Sequence, residues 1–324
     1  MARAIRIHEY GGPEALRYED VPSGKLGARQ LRIRHTAIGV NFIDTYERSG
    51  LYAVKLPAVL GREAAGVVVE AGRSVTKFKE GDRVAYAGDK AGAYSEERIV
   101  DAARLVPLPE SISDQQAAAM MLKGLTAWFL LRRCYRLRRN EFILLHAAAG
   151  GVGLIATQWA SALGAKVIAV VSTDEKAGLA RENGAAETIV STREDIVARV
   201  HAITRKKGVS VVYDGVGKDT FFTSLDCLRP RGLMVSYGNA SGPVPPIPPL
   251  ELTRRGSLFL TRPTLFHYTA KSSELARGAR ELFEVVTSGK VRIHIGQTYP
   301  LARASQAHHD LEARKTTGST LLIP

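Results

Sequence analysis

The 324-residue chain is 45% hydrophobic and 24% charged, enough apolar content for a large core and a length that favours two domains over one. Lysine and arginine exceed aspartate and glutamate by 45 − 32 = 13, a balance suited to anionic ligands, of which a phosphorylated dinucleotide is one and nucleic acid another. No run long enough to cross a membrane is both apolar and uncharged, and two distant cysteines, Cys134 and Cys227, cannot form a structural zinc cluster.

At the N-terminus, Arg3 and Arg6 fall inside an alternating pattern with Ile5 and Ile7, which reads as a first strand rather than a secretion leader. With two unpaired thiols, this predicts a cytoplasmic protein. Residues 31–37 continue the alternation, and residues 64–69, 81–84 and 94–100 add short strands and glycine-rich turns. A mostly antiparallel, partly open-barrel β domain is expected. From Ser113 the character changes, and residues 117–122 and 126–131 predict helices interrupted around Gly124. Beyond Glu141 apolar strands at 142–146, 166–172, 187–190, 209–213, 232–236 and 257–260 alternate with helical stretches. That rhythm specifies a parallel sheet covered by helices, an α/β Rossmann arrangement. The proline-dense residues 243–249 cannot form a central strand and are expected as a connection. A helix over 272–288, a short strand near 292–293, a helix over 301–313 and a closing strand near 318–324 complete the chain. The arginines at 132, 133, 136, 138 and 139 read as a solvated face, and no basic block with interleaved aromatics marks a nucleic-acid surface.

The chemistry concentrates at residues 142–172. A strand, Phe142-Ile143-Leu144-Leu145-His146, runs into Ala147-Ala148-Ala149-Gly150-Gly151-Val152-Gly153 and then a helix. Small residues let the backbone at Ala149, Gly150, Gly151, Val152 and Gly153 approach a pyrophosphate, and the helix N-terminus offers N–H groups to it. Ala147 stands where the commonest fingerprint has its first glycine. The second strand ends in Ser172 and Thr173, with Lys176 one turn further on, a set of donors suited to the 2′-phosphate of NADPH. Asp174 admits two readings: a cap for the helix that follows, or an acceptor for the ribose of NADH. Gly217, Gly238 and Asn239 follow later strands and are candidate contacts on the nicotinamide side. His146 is expected to end its strand as a packed or backbone-bonded residue.

Across the chain, Gly11-Gly12-Pro13, residues 39–46 (GVNFIDTY), residues 61–66 (GREAAG), residues 123–127 (KGLTA), residues 146–153, Gly238-Asn239 and Gly318-Ser319 resemble the zeta-crystallin-like quinone oxidoreductases, a branch of the medium-chain dehydrogenase/reductase superfamily. The resemblance implies a catalytic domain over residues 1–123 plus 263–324, a Rossmann domain over 124–262 and a homodimer. It also implies that Asn41 and Tyr52 flank the nicotinamide and substrate cleft with Thr126, and that Lys176 and Arg314 hold the 2′-phosphate. Zinc-dependent relatives place a cysteine near position 41 and a histidine at 62, where this chain has Asn41 and Arg62; their cysteine-rich lobe corresponds to the short 88–92 stretch. No zinc is therefore expected. Ser191-Thr192 stand where close bacterial relatives offer a tyrosine, a departure that weakens one implied contact to the phosphate. The expected activity is NADPH-dependent quinone reduction. The alternatives are an enone or alkenal reductase, an RNA-associated member of the family, and a non-catalytic NADPH-binding module.

Overall fold

The computed structural model describes residues 1–88 and 90–324; Asp89, inside the 88–92 stretch, lies outside the described residues. In chain order the strands of the first half are β1 (Ala2–Ile7), β2 (Arg17–Val21), β3 (Gln30–Val40), β4 (Ala58–Val59), β5 (Glu63–Ala71), β6 (Arg83–Ala87), β7 (Glu97–Asp101) and β8 (Val106–Pro107). The second half supplies β9 (Phe142–His146), β10 (Lys166–Val171), β11 (Glu187–Val190), β12 (Val209–Asp214), β13 (Leu228–Ser236), β14 (Phe259–Thr261), β15 (Ile295–Pro300) and β16 (Ser319–Ile323). Helices are α1 (Phe42–Arg48), α2 (Asp114–Phe129), α3 (Gly151–Ala162), α4 (Asp174–Glu182), α5 (Ile196–Ile203), α6 (Phe221–Asp226), α7 (Leu250–Arg254), α8 (Leu265–Tyr268), α9 (Ser272–Thr287) and α10 (Ala304–Glu312). The chain divides into two compact units: Met1–Leu125, Thr269–Phe283 and Ile293–Pro324 form the first, Thr126–Tyr268 and Glu284–Arg292 the second.

In the first unit β2-β1-β4 make a small sheet and β15-β16-β3-β5-β6-β8 a larger one, with β7 paired to β3. Pairing is antiparallel except between β15 and β16. The eleven-residue β3 alternates Leu31, Ile33 and further apolar side chains into the core with Arg32 and Arg34 on the opposite side. Those apolar faces meet Ile5, Ile7, Val68, Tyr86 and Tyr94 in one cluster, each fully buried aliphatic contributing roughly 1.5–3 kcal/mol before chain entropy is set against it. The return of β16 onto β3 is the closing strand predicted from residues 318–324.

The second unit is a parallel six-stranded sheet ordered β11-β10-β9-β12-β13-β14. Its strands are apolar along their length because helices cover both faces, and Leu144, Ile168, Val212 and Met234 are fully buried. Strand order reverses between β9 and β12: β10 and β11 extend to one side of β9, and β12 to β14 to the other. Residues 243–249 form a connection without helix or strand, as their prolines require.

Two expectations need correcting. The helix over residues 117–131 is not interrupted at Gly124: α2 runs unbroken to Phe129, and Leu130–Cys134 form a π-helical turn. Gly124 serves packing instead, since a Cβ there would lie 2.6 Å from Leu282 Cδ1 of α9. The short strand expected near 292–293 falls later, at β15: the N–H and C=O of Arg292 are both taken by the Gln158 side chain, and pairing with β16 starts at Ile295. No helix among the described residues is long and apolar enough to cross a membrane.

Candidate active site

In the second unit β9 delivers the chain to a tight turn in which Ala147 adopts φ 50, the left-handed region that favours glycine. Gly150 N–H donates to Ala147 O at 2.9 Å and closes the turn, and α3 begins at Gly151. Gly153 has no room for a side chain, because a Cβ would stand 2.7 Å from Ala148 Cα. The glycine therefore lets the first turn of α3 lie directly on the end of β9. Its first N–H groups have no carbonyl a turn earlier within the helix, the arrangement that binds anions at a helix N-terminus. The turn sits where strand order reverses, at the carboxyl end of β9.

The remaining second-unit candidates lie at the carboxyl ends of neighbouring strands. Ser172 and Thr173 follow β10, and Thr173 Oγ1 accepts from Lys176 N–H at 3.2 Å. Thr173 is thus the N-cap of α4, which corrects the capping role expected of Asp174. Asp174 is instead the first helical residue, its carboxylate bound by Arg193. Gly217, at φ 94, and Gly238 belong to loops after β12 and β13 that are joined backbone to backbone: Ser241 N–H donates to Val216 O at 2.8 Å and Ala240 N–H to Gly215 O at 3.2 Å. A Cβ on Gly238 would stand 2.8 Å from Gly215 Cα, so glycine permits that approach. Asn239 follows in the same loop.

Sequence reasoning missed what organises these loops. Asp214, fully buried at the end of β12, accepts from the N–H groups of Val216 (2.8 Å) and Gly217 (3.1 Å) and from the hydroxyls of Thr220 (2.7 Å) and Ser224 (2.8 Å). His146 is buried at the end of β9, the packed alternative of the two expected, and its Nε2 lies 2.9 Å from Ser224 Oγ. Burial holds its imidazole below the usual histidine range, partly opposed by the Asp214 charge. An aspartate directly after an apolar strand and before Gly-x-Gly was the available signal.

In the first unit Asn41 is the N-cap of α1 and is buried. Its N–H donates to Asp44 Oδ2 at 2.8 Å, and its Nδ2 donates to Glu63 Oε1 at 2.8 Å and, weakly, toward Gly39 O at 3.4 Å. Glu63 is fully buried; it also accepts from Lys123 Nζ and from Leu122 N–H, each at 2.6 Å. Gly39 is its cross-strand partner, and a Cβ on Gly39 would collide with the Glu63 carboxylate and with Ala118 O of α2. The three quoted motifs around residues 39, 63 and 123 are thus one cluster, a link that spacing alone does not disclose. Tyr52 is half-buried, its ring edge-on to Tyr46 with centroids 5.3 Å apart. Thr126, on α2, is buried at the start of the second unit. Arg314 is exposed in the first unit, with φ 58 after α10.

Beside Asn41, Asp44 accepts from Tyr94 Oη at 2.9 Å, while its Oδ1 has no partner among the described residues. Burial, then the neighbouring Glu47, pushes its carboxyl up to about 7. Arg48 Nη1 donates to His308 Nδ1 at 3.1 Å, which makes Nε2 the protonated nitrogen and a donor to Tyr94 Oη at 3.0 Å. Burial, then Arg48, pushes His308 down to about 3.

Residues 151–283 match the family described as zinc-binding dehydrogenase, and residues 27–110 the alcohol dehydrogenase GroES-like domain. A quinone oxidoreductase of Pseudomonas aeruginosa is 54% identical over 100% of both chains. The chain belongs to the zeta-crystallin-like quinone oxidoreductases of the medium-chain dehydrogenase/reductase superfamily. Its fold matches the crystal structure of Escherichia coli quinone oxidoreductase complexed with NADPH at a TM-score of 0.98, with 48% identity and 100% of each chain covered. A 2-haloacrylate reductase of a Burkholderia species is 46% identical over 100% of this chain and 99% of its own.

The zinc implied by the first family description does not fit these residues. Arg62 is a cation bound through Nε to Glu47 Oε1 at 2.8 Å, and the Asn41 amide nitrogen is committed to Glu63. Neither atom can ligate zinc, and no group of three or more histidine, cysteine or acidic side chains among the described residues is disposed to hold a metal.

Proposed function

We propose that this chain reduces quinones with NADPH. The observation that carries the reading is the turn of residues 147–153 at the reversal of strand order, with Ser172, Thr173 and Lys176 at the end of the adjacent strand. In this reading the N–H groups of Gly150, Gly151, Val152 and Gly153, with Ala149, receive the pyrophosphate. Ser172, Thr173, Lys176 and Arg314 receive the 2′-phosphate, and Gly217, Gly238 and Asn239 border the nicotinamide. Thr173 suits its part, because its oxygen accepts from Lys176 N–H and its own proton remains to be donated. NADPH, when bound, supplies the reducing hydride.

The protein's share is orientation and hydrogen bonding to the acceptor's carbonyl oxygen. We assign that share to Asn41, Tyr52 and Thr126. Glu63 fixes the Asn41 amide through one N–H, and the second makes only the long contact to Gly39 O, so a substrate oxygen can compete for it. We further propose that residues 1–123 with 263–324 carry the catalytic role and 124–262 the cofactor, in a cytoplasmic homodimer. Edge strand β14 supports the dimer: among the described residues it pairs with β13 alone, and it exposes Phe259 (62%) and Leu260 (38%).

The likeness to a 2-haloacrylate reductase favours one second reading, reduction of an activated carbon–carbon double bond. Steady-state assays with NADPH against benzoquinone, naphthoquinones and small enones decide between them. Turnover of enones with none of quinones would reject the first reading.

A further inference from the structure

We propose that Arg193 sets the preference for a 2′-phosphate by clamping Asp174, a role that rests on the NADPH reading above. An acidic side chain at the end of the second strand of such a sheet accepts the ribose hydroxyls of NADH and repels a 2′-phosphate. Asp174 stands close to that place, three residues beyond β10 and beside Thr173 as the first residue of α4, and it is exposed. On its own it argues against NADPH.

The geometry removes the conflict. Arg193 Nη1 donates to Asp174 Oδ2 at 2.6 Å and Nη2 to Oδ1 at 2.5 Å, a two-pronged bond that engages both carboxylate oxygens. The segment that carries Arg193 is itself fastened to the end of β10. Ser191 donates to Val171 O through its N–H (2.9 Å) and its hydroxyl (3.0 Å), and Thr192 Oγ1 donates to Ser172 O at 3.1 Å. The two residues standing where relatives offer a tyrosine therefore position the guanidinium beside the phosphate donors Ser172 and Thr173. Exposed ion pairs contribute little to stability, so the consequence of this one is local. It offsets the negative charge and takes one lone pair on each carboxylate oxygen, which leaves fewer for ribose hydroxyls. A guanidinium has five N–H donors and the clamp uses two of them.

The test is calorimetric titration of the purified full chain with NADP+ and with NAD+, which differ only in the 2′-phosphate. Arg193→Gln should weaken NADP+ binding about tenfold, the order expected for one uncompensated charge at a partly solvated site, and leave NAD+ binding unchanged or tighter. Adding Asp174→Asn to Arg193→Gln should restore NADP+ affinity to within about threefold of the parent. Equal losses for both cofactors, or a double variant no better than Arg193→Gln, would overturn the clamp. A parent chain that binds NAD+ as tightly as NADP+ would instead overturn the NADPH reading beneath it. Circular dichroism of each variant, expected to match the parent because both side chains are exposed, separates a binding loss from unfolding.

Discussion

Glu63→Ala tests the cluster that holds Asn41. The carboxylate is fully buried and serves three donors: Lys123 Nζ, Asn41 Nδ2 and Leu122 N–H. Its removal leaves the Lys123 ammonium, only 5% exposed, without its counter-charge. Stranding one partner of a buried pair costs about 3–5 kcal/mol, and an orphaned neutral donor adds about 1–3 kcal/mol. These terms overlap, so a loss of about 5 kcal/mol is expected, or roughly 10–20 °C in melting temperature at about 2–4 °C per kcal/mol. Differential scanning calorimetry is the assay. Glu63→Gln combined with Lys123→Met removes both charges; the single amide oxygen can accept from Asn41 Nδ2 or from Leu122 N–H but not both, so one neutral donor is orphaned at about 1–3 kcal/mol and the double variant should stay within about 3 kcal/mol of the parent. A Glu63→Ala chain within about 1 kcal/mol of the parent, or a double variant as unstable as the single one, would refute the reasoning.

Asp44 and His308 give opposite pH dependences. Because the fold raises the Asp44 carboxyl from 3.8 to about 7, the native state keeps a proton that the unfolded chain releases, and stability falls as pH rises through that window. Asp44→Asn should flatten this decline in urea titrations at stepped pH; an unchanged slope would contradict it. His308, lowered from 6.5 to about 3, makes stability fall as pH drops through that range, and His308→Gln should flatten the acid limb instead. Lys176→Ala should raise the Michaelis constant for NADPH about tenfold and leave that for NADH nearly unchanged, and equal effects would reject its phosphate role. Phe259→Asp should convert a dimer to monomers in light scattering, whereas an unaltered mass would remove β14 from the interface.

The parts of this molecule legible in the sequence are those set by local pattern. The apolar strands at 142–146 and 166–171, the small-residue turn between strand and helix, and the proline connection at 243–249 each follow from periodicity or backbone chemistry within one segment. What escaped depends on contacts distant in sequence. Gly124 looks like a helix breaker until Leu282 is seen packed on it, and Glu63 looks like a strand-end acid until α2 brings Lys123 to it. Asp174 admitted two readings, helix cap or ribose acceptor; the structure gives the cap to Thr173, and Arg193, nineteen residues beyond Asp174, engages the carboxylate. The turn at Ala147 was read as a departure from glycine, and the structure gives its physical form, a left-handed alanine.

The central claim is tested most directly by mixing the purified chain, preloaded with NADPH, with benzoquinone under anaerobic conditions and following the nicotinamide absorbance. The account predicts loss of one NADPH per quinone reduced, with kcat/KM at least tenfold higher for NADPH than for NADH. NADPH oxidation no faster than in the absence of the protein would contradict it.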